Sequence, residues 1–547
     1  MSAVLSHQPP PAPSAEASND RSAENESLLK KFSSRQSNEL VIAFAGPIGC
    51  GIASVINAVD DSLKQFGYIK IVRIKLSAFL EQAVVDGRIS EPQAEGDFSE
   101  KYLRYRRLQR VGMDLRKLTE NQAILAESAI NSIVLDREKR EGGRKAPGSA
   151  VVAPSRVAYL IDQVKRPEEV VLLRALYRNL FYLVGVTKNY DQRQHFLEDE
   201  GVKADETEGL IEIDRNENSE TGQRLDKTLH LADFFIRNDT GADQKANISR
   251  FVHLIHGDKS KTPTLAEQGM YAAYAAGLRS ACLSRQVGAA IASDAGEILS
   301  TGCNDVPKAG GGLYAAGGQH DYRCVHMPDS ICFNDLHKRK LQTQIGDEID
   351  RVLREQLEGD GAIVLSDVRR SKLIESIYTN TRLKDLIEFS RSVHAEMDAI
   401  VSLARSGGVG VKDAILYSTT FPCHSCARHI VAAGIKEVVY IEPYEKSMAK
   451  DLHPDAISFA FASDKQGEAK VKFLHFEGVS PRQFPHVFRA EGRKNNEGRF
   501  IPIDNGSSTR NLPEYLDNYF DFEAKAVEHF QSTLAKVPPT KPLDTNH

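Results

Sequence analysis

Two short stretches hold residue types that bind metal and move protons: His394-Ala395-Glu396 and Pro422-Cys423-His424-Ser425-Cys426. Thiolates three apart at the start of a helix face the same way. The outward amides of a first helical turn favour negative charge, which lowers a thiol's pKa. Pro422 suits the entry, because its missing N–H would have no partner inside the helix. One imidazole and two thiolates supply three ligands to a tetrahedral zinc and leave the fourth position open, as a catalytic centre requires. A zinc so held lowers the pKa of its water to about 7. Glu396 is then a free carboxylate beside the metal, able to take that proton and deliver it to a substrate. Taken singly, the motifs say less. A Cys-x-x-Cys pair also serves as a redox couple or as half of a structural zinc site, and His-Ala-Glu arises by chance. Their joint occurrence in this order, with Pro directly before the first Cys, favours the catalytic reading.

The elements that must position these residues follow from periodicity. The spacing predicts a helix at 394–405, a strand at 414–418, a helix at 423–433 closed by Gly434, and a strand at 437–441. Upstream, Thr264 and Glu267 form a capping box for an Ala-rich helix reaching about Leu283. Gln286–Ala292 and Glu297–Gly302 then read as a hairpin. Residues 305–390 form a long excursion with a Gly-rich loop and helical stretches. Earlier in the chain, Leu40–Ala45, Val157–Ile161, Phe181–Val186 and Ala232–Ile236 are short apolar runs of the buried-strand kind, with helices around 114–135 and 167–180. Strands alternating with helices imply a parallel α/β sheet. Residues 136–149 read as an exposed loop, and the acidic stretch 198–225 as a lid or a disordered insertion. Residues 1–38, rich in Pro, Ser, Ala and Asn, read as a disordered tail.

Composition narrows the function. Over 547 residues, 70 Lys and Arg against 75 Asp and Glu give a formal charge of −5, which argues against a chain whose main work is coating nucleic acid or an anionic membrane. The apolar run Val170–Val186 is broken by Arg174, Arg178 and Asn179, so no membrane crossing is expected, and no signal pattern opens the chain. Seven Cys in this length exclude a disulfide scaffold and favour a reducing, cytoplasmic setting.

The H-x-E…P-C-x-x-C order is an established signature of zinc deaminases acting on cytosine or adenine. Around it the chain resembles the cytidine/deoxycytidylate deaminase superfamily over about residues 264–460. The likeness includes Arg285-Gln-Val-Gly-Ala-Ala-Ile, Thr301-Gly-Cys-Asn304-Asp-Val-Pro307 and Ala432-Ala-Gly-Ile-Lys-Glu-Val-Val-Tyr440. Together with the N-terminal half, Asp305-Val-Pro-Lys-Ala-Gly-Gly-Gly-Leu-Tyr314 and Glu442-Pro-Tyr-Glu-Lys-Ser447, the layout is similar to that of bacterial antiphage dCTP/dCMP deaminases. The resemblance implies an α/β fold of two parts: a P-loop-kinase-like parallel-sheet domain at 39–260 and a mixed-sheet deaminase domain at 261–480. An extension at 481–547 would pack on one of them. It implies one catalytic Zn²⁺ on His394, Cys423 and Cys426, Glu396 as proton shuttle, and a substrate pocket with Asn304, Ala395 and Tyr444. It further implies conversion of dCTP or dCMP to the deoxyuridine form, depleting dCTP in antiphage defence, a homo-oligomer, and in some members an inhibitory small RNA.

Gly46-Pro-Ile-Gly49-Cys-Gly51 follows a strand and opens a helix, the context of a phosphate-cradling loop. Ile52 and Ala53 stand where the Lys and the hydroxyl of a P-loop belong, so phosphoryl transfer is not expected. Two roles stay open for this half: binding a nucleotide effector, or holding the assembly together. Asp162 is either a Walker-B-like residue or an ordinary strand-end Asp. Cys324, His326, Cys332 and His337 crowd together near His320 and are candidates for a second, structural zinc, against a loop with incidental Cys and His. Cys50, Cys282 and Cys303 read as small buried residues. Competing with a free-nucleotide deaminase are a nucleic-acid-editing deaminase, disfavoured by the lack of a basic aromatic stripe, and a catalytically silent nucleotide- or RNA-sensing protein.

Overall fold

The computed structural model describes residues 36–92, 97–141, 156–215, 222–239, 242–318, 320–355, 366–407, 410–442, 447–459, 470–489, 492–508, 510–515 and 519–537. Twelve strands lie among them: β1 (Leu40–Ala45), β2 (Lys70–Lys75), β3 (Val157–Asp162), β4 (Phe181–Thr187), β5 (Phe234–Arg237), β6 (Gly288–Ala292), β7 (Ile298–Cys303), β8 (Ile415–Thr420), β9 (Glu437–Glu442), β10 (Ile457–Ser458), β11 (Val471–His475) and β12 (Gly478–Val479). They form two six-stranded sheets.

The first sheet runs β12-β5-β4-β1-β3-β2 and is parallel apart from β12, which pairs antiparallel with β5 at the edge. Every residue of β1 is buried because helices cover both faces. Alternate residues point to opposite sides: Leu40, Ile42 and Phe44 pack with the helices Ile52–Gln65 and Gln244–Ile255, while Val41, Ala43 and Ala45 share a core with the helix Ile124–Glu141. The second sheet runs β10-β11-β9-β8-β6-β7. Strands β6 and β7 form the expected hairpin, β6 pairs antiparallel with β8, and β8, β9, β11 and β10 are parallel. The capping box forms as its residue types require: Glu267 N–H donates to Thr264 Oγ1 at 3.1 Å, and Thr264 N–H donates to Glu267 Oε2 at 2.7 Å. The helix it starts, Leu265–Gly277, is shorter than the reading to Leu283.

Several expectations need correction. The helix around 114–135 is two helices, Glu100–Thr119 and Ile124–Glu141, because Glu120 adopts a left-handed conformation (φ 51°) and Asn121 Oδ1 accepts the Ala123 N–H at 2.9 Å. The supposed loop from 136 is helical through Glu141; the rest of it lies outside the described residues. The acidic stretch contains the helix Ala204–Arg215, which packs because Leu210 and Ile211 join Ile48, Leu197 and Val202 in a small core. The tail does not extend to residue 38: Ser37 N–H donates to Glu514 O at 2.8 Å, and Gln36 bridges to Tyr515. Of the C-terminal stretch, the helix Phe520–Ala535 packs on the helix Ile124–Glu141. No helix among the described residues is long and apolar enough to cross a membrane.

Candidate active site

Two helix starts meet at the second sheet. His394 is the N-cap of the helix Ala395–Ser406, and Cys423 is the N-cap of the helix His424–Ala433, where its Sγ accepts the Cys426 N–H at 3.4 Å. The first of these helices lies close against β7 because Gly302 has no side chain: a Cβ there would stand 2.2 Å from Ala395 O and 2.4 Å from Ala399 N. Any larger residue would lift the helix, and His394 and Glu396 with it, off the sheet. Cys423 is reached three residues after β8 ends, and Gly434 closes its helix in a left-handed turn (φ 77°).

His394 Nδ1 lies 3.3 Å from Cys423 Sγ and 3.3 Å from Cys426 Sγ. The three ligand atoms all fall within 4.8 Å of one another, the only such convergence of His, Cys, Asp and Glu among the described residues. Zinc with Zn–S of about 2.3 Å and Zn–N of about 2.0 Å needs S···N near roughly 3.5 Å. The donor set therefore fits zinc in kind and in spacing. Glu396 is 4% exposed, and its Oε2 lies 3.6 Å from Cys426 Sγ.

The groups of this cluster also perturb one another's protonation. A hydrogen bond from Cys426, then one with His394, pulls the Cys423 thiol down to about 4. Cys426 is pushed the other way by that same bond, by burial and by Glu396. The hydrogen bond to Cys423 raises His394. Burial raises the carboxyl of Glu396, opposed by His394. Cys423, Cys426, His394 and Glu396 thus shift one another's protonation within one cluster.

A cavity of about 250 Å³ opens on this cluster and is lined by Glu396, Ala395, Asn304, Arg285, Arg391 and Phe421 among others. Asn304 is 8% exposed; its Oδ1 accepts the Val287 N–H at 2.7 Å and its Nδ2 donates to Arg285 O at 2.8 Å. Its amide is therefore bound to backbone on both sides and braces the cavity wall. Tyr444 lies outside the described residues. The candidates for a second zinc do not converge. His326 Nε2 lies 3.3 Å from Asp321 Oδ2, His337 stacks on Phe389 at 5.5 Å, and Cys324 and Cys332 line the cavity beside His394 instead. Sequence reasoning missed Arg391 and Ser392 of that lining. A cation in the polar segment just ahead of His394 is the signal that was available.

The glycine loop lies at the end of β1, beside a second cavity of about 550 Å³ that Asp162 also lines. Gly46, Gly49 and Gly51 lie in that loop, and one of its amides is already taken by a side chain. Ile48 N–H donates to Asp214 Oδ2 at 2.7 Å; Lys165 Nζ lies 2.5 Å from Asp214 Oδ1 and 3.2 Å from Gly46 O.

A family model described as the cytidine and deoxycytidylate deaminase zinc-binding region matches residues 263–442. The deoxycytidylate deaminase of Enterobacteria phage T4 is 29% identical over 184 residues, 32% of this chain and 76% of that protein. The human deoxycytidylate deaminase is 42% identical over 91 residues, 17% of this chain and 40% of that protein. The solved dCMP deaminase of cyanophage S-TIM5, in complex with dCMP and dUMP, aligns with 39% of this chain and 98% of its own at 19% identity and a TM-score of 0.22. The family model and the relatives support placing this part of the chain in the cytidine/deoxycytidylate deaminase superfamily.

Proposed function

We propose that the chain is a zinc-dependent hydrolytic deaminase of free deoxycytidine nucleotides, converting dCMP and dCTP to dUMP and dUTP with release of ammonia. The observation that carries this reading is a buried carboxylate, Glu396, beside a converged imidazole and two sulfurs at the floor of a cavity. His394, Cys423 and Cys426 would hold the zinc, which supplies the polarisation that makes water nucleophilic at neutral pH. Glu396 removes one proton from the attacking water and gives it to the ring nitrogen, then takes the second from the new C4 hydroxyl and gives it to the departing amine. Water adds at C4, the C4–N bond breaks, and a carbonyl replaces the amino group. Phe421 and Val287 give the cavity an apolar wall for a pyrimidine, with Asn304 and Ala395 beside it.

In the same reading, the enzyme works in the cytoplasm as a homo-oligomer and depletes dCTP in antiphage defence, with an inhibitory small RNA as a candidate partner. Asp214, bonded to the Ile48 amide of the glycine loop, favours a scaffolding role for residues 39–260 over an effector site. The test is ammonia release from dCTP, dCMP, cytidine and a cytosine-containing oligonucleotide. Turnover of the free nucleotides supports the proposal. Turnover of the polymer alone would make this an editing enzyme, and none with any substrate despite bound zinc would make it a silent regulator.

A further inference from the structure

Two side chains of fixed positive charge line the catalytic cavity, Arg285 and Arg391. They are held differently. Arg285 Nη1 lies 3.3 Å from Glu442 Oε2, and Glu442 Oε1 lies 2.5 Å from His230 Nδ1. Its charge already faces a carboxylate. Arg391 forms an ion pair with no carboxylate among the described residues. Its Nη1 donates to Tyr322 O at 3.2 Å, and its Cζ sits 5.1 Å from the centre of the Phe333 ring. A guanidinium has five N–H donors in a rigid fork. One carbonyl leaves most of that fork unused, and stacking on an aromatic ring orders it before any ligand arrives.

The placement matters as much as the charge. Arg391 stands three residues ahead of His394, so its Cα lies within about 11 Å of the metal-binding residue's Cα. The intervening segment is pinned where Val393 N–H donates to Asp305 O at 3.0 Å. Ser390 and Ser392 flank Arg391 on the cavity wall, and Glu396 is the one carboxylate of the lining. A prepared guanidinium near two hydroxyls at a short, fixed distance from the reacting centre suits an oxyanion on the far end of the substrate. We propose that Arg391 recognises the phosphate of the substrate, and so sets the preference for deoxycytidine nucleotides over the unphosphorylated nucleoside. This inference rests on the deaminase reading above.

The test separates the two. In the zinc-loaded full chain carrying Glu396→Gln, calorimetry compares the binding of dCMP and deoxycytidine with and without Arg391→Ala, Arg391→Gln and Arg391→Lys. The parent is expected to bind dCMP more tightly. Arg391→Ala and Arg391→Gln weaken dCMP by about 10- to 100-fold, the range for hydrogen bonds to a charged group, and shift deoxycytidine far less. Arg391→Lys restores part of the loss, because it keeps the charge without the fork. If the parent has no preference for dCMP, if the preference survives Arg391→Ala and Arg391→Gln, or if both ligands weaken equally, Arg391 only pins Tyr322 and the proposal is overturned. Should Arg391→Ala not fold, the Gln and Lys variants read the same ratio. Ammonia release by the chain with Glu396 intact tests the deaminase reading separately.

Discussion

Replacing Glu396 with Gln should separate catalysis from metal binding. The side chain keeps its shape but cannot take a proton from water. General acid–base catalysis contributes about 10²- to 10⁴-fold, or about 3–5 kcal/mol of barrier. The upper part of that range is expected, because no other carboxylate lines the cavity. The nearest in sequence, Asp398, is 7% exposed and already accepts the Cys303 N–H at 3.1 Å. Zinc per chain should stay unchanged, since the converged donors are His394, Cys423 and Cys426 without Glu396. His394→Ala and Cys426→Ser should instead lose both metal and turnover. The assay pairs ammonia release from dCMP with metal analysis of the purified protein. Burial already disfavours the ionised form of Glu396, so Gln should not lower the unfolding midpoint. Retention of more than a tenth of the turnover would refute the proton-carrier role. Loss of zinc equal to that in His394→Ala would make Glu396 a ligand.

Three further outcomes follow from the fold. Arg137 bonds Glu39 at 2.7 Å and Glu523 at 2.5 Å, all three buried, so Arg137→Ala should cost about 3–5 kcal/mol by leaving Glu523 with Tyr177 alone among the described residues and Glu39 with Arg140 and Tyr519, seen as a lower unfolding midpoint. An unchanged midpoint would contradict this. His256 is 2% exposed, and burial pushes its imidazolium down to about 4 from the ordinary 6.5. Because the folded value is depressed, its contribution is present above pH 6.5 and is lost as the pH falls through about 4, up to about 3 kcal/mol. His256→Gln should flatten the fall in stability over that window in denaturant titrations; an identical slope would refute it. Asp214→Asn should open the glycine loop to anions, so calorimetry should find pyrophosphate binding in the variant alone. Equal binding by the unaltered chain would show that Asp214 does not block the loop.

What could be read from the sequence depended on the distance over which each feature is specified. The converging donors were legible because Cys423 and Cys426 share one helix turn and His394 opens another two residues before Glu396, and the capping box because Thr264 and Glu267 are three apart. β1, β3 and β4 were legible because burial on both faces leaves unbroken apolar runs. β2 was missed because it is an edge strand: Lys70, Arg73 and Lys75 of Lys-Ile-Val-Arg-Ile-Lys are exposed and dilute the apolar signal. β12 is two residues long, too short for any period. Arg391 gains meaning only from Tyr322, 69 residues away, and the glycine loop is occupied by an Asp 166 residues from Ile48. No local pattern carries such pairings.

The same long-range contacts show why the second sheet is not simply appended to the first. Glu267 caps the helix packed beneath β6 and β8, yet its Oε2 lies 2.6 Å from Arg250 Nη2 and its Oε1 accepts the Val479 N–H at 2.8 Å. Arg250 belongs to a helix on the first sheet, and Val479 belongs to β12, which extends that sheet from beyond the second. One fully buried carboxylate therefore holds together a helix start, a strand edge and a cation from the other half. Met270 and Ala273 of the same helix share a continuous core with Phe235 of β5 and Phe476. A cut near residue 260 would expose that core and leave Glu267 without Arg250. The geometry at His394 and Cys423 rests on strands braced by this helix, so the first half supports that cluster through packing.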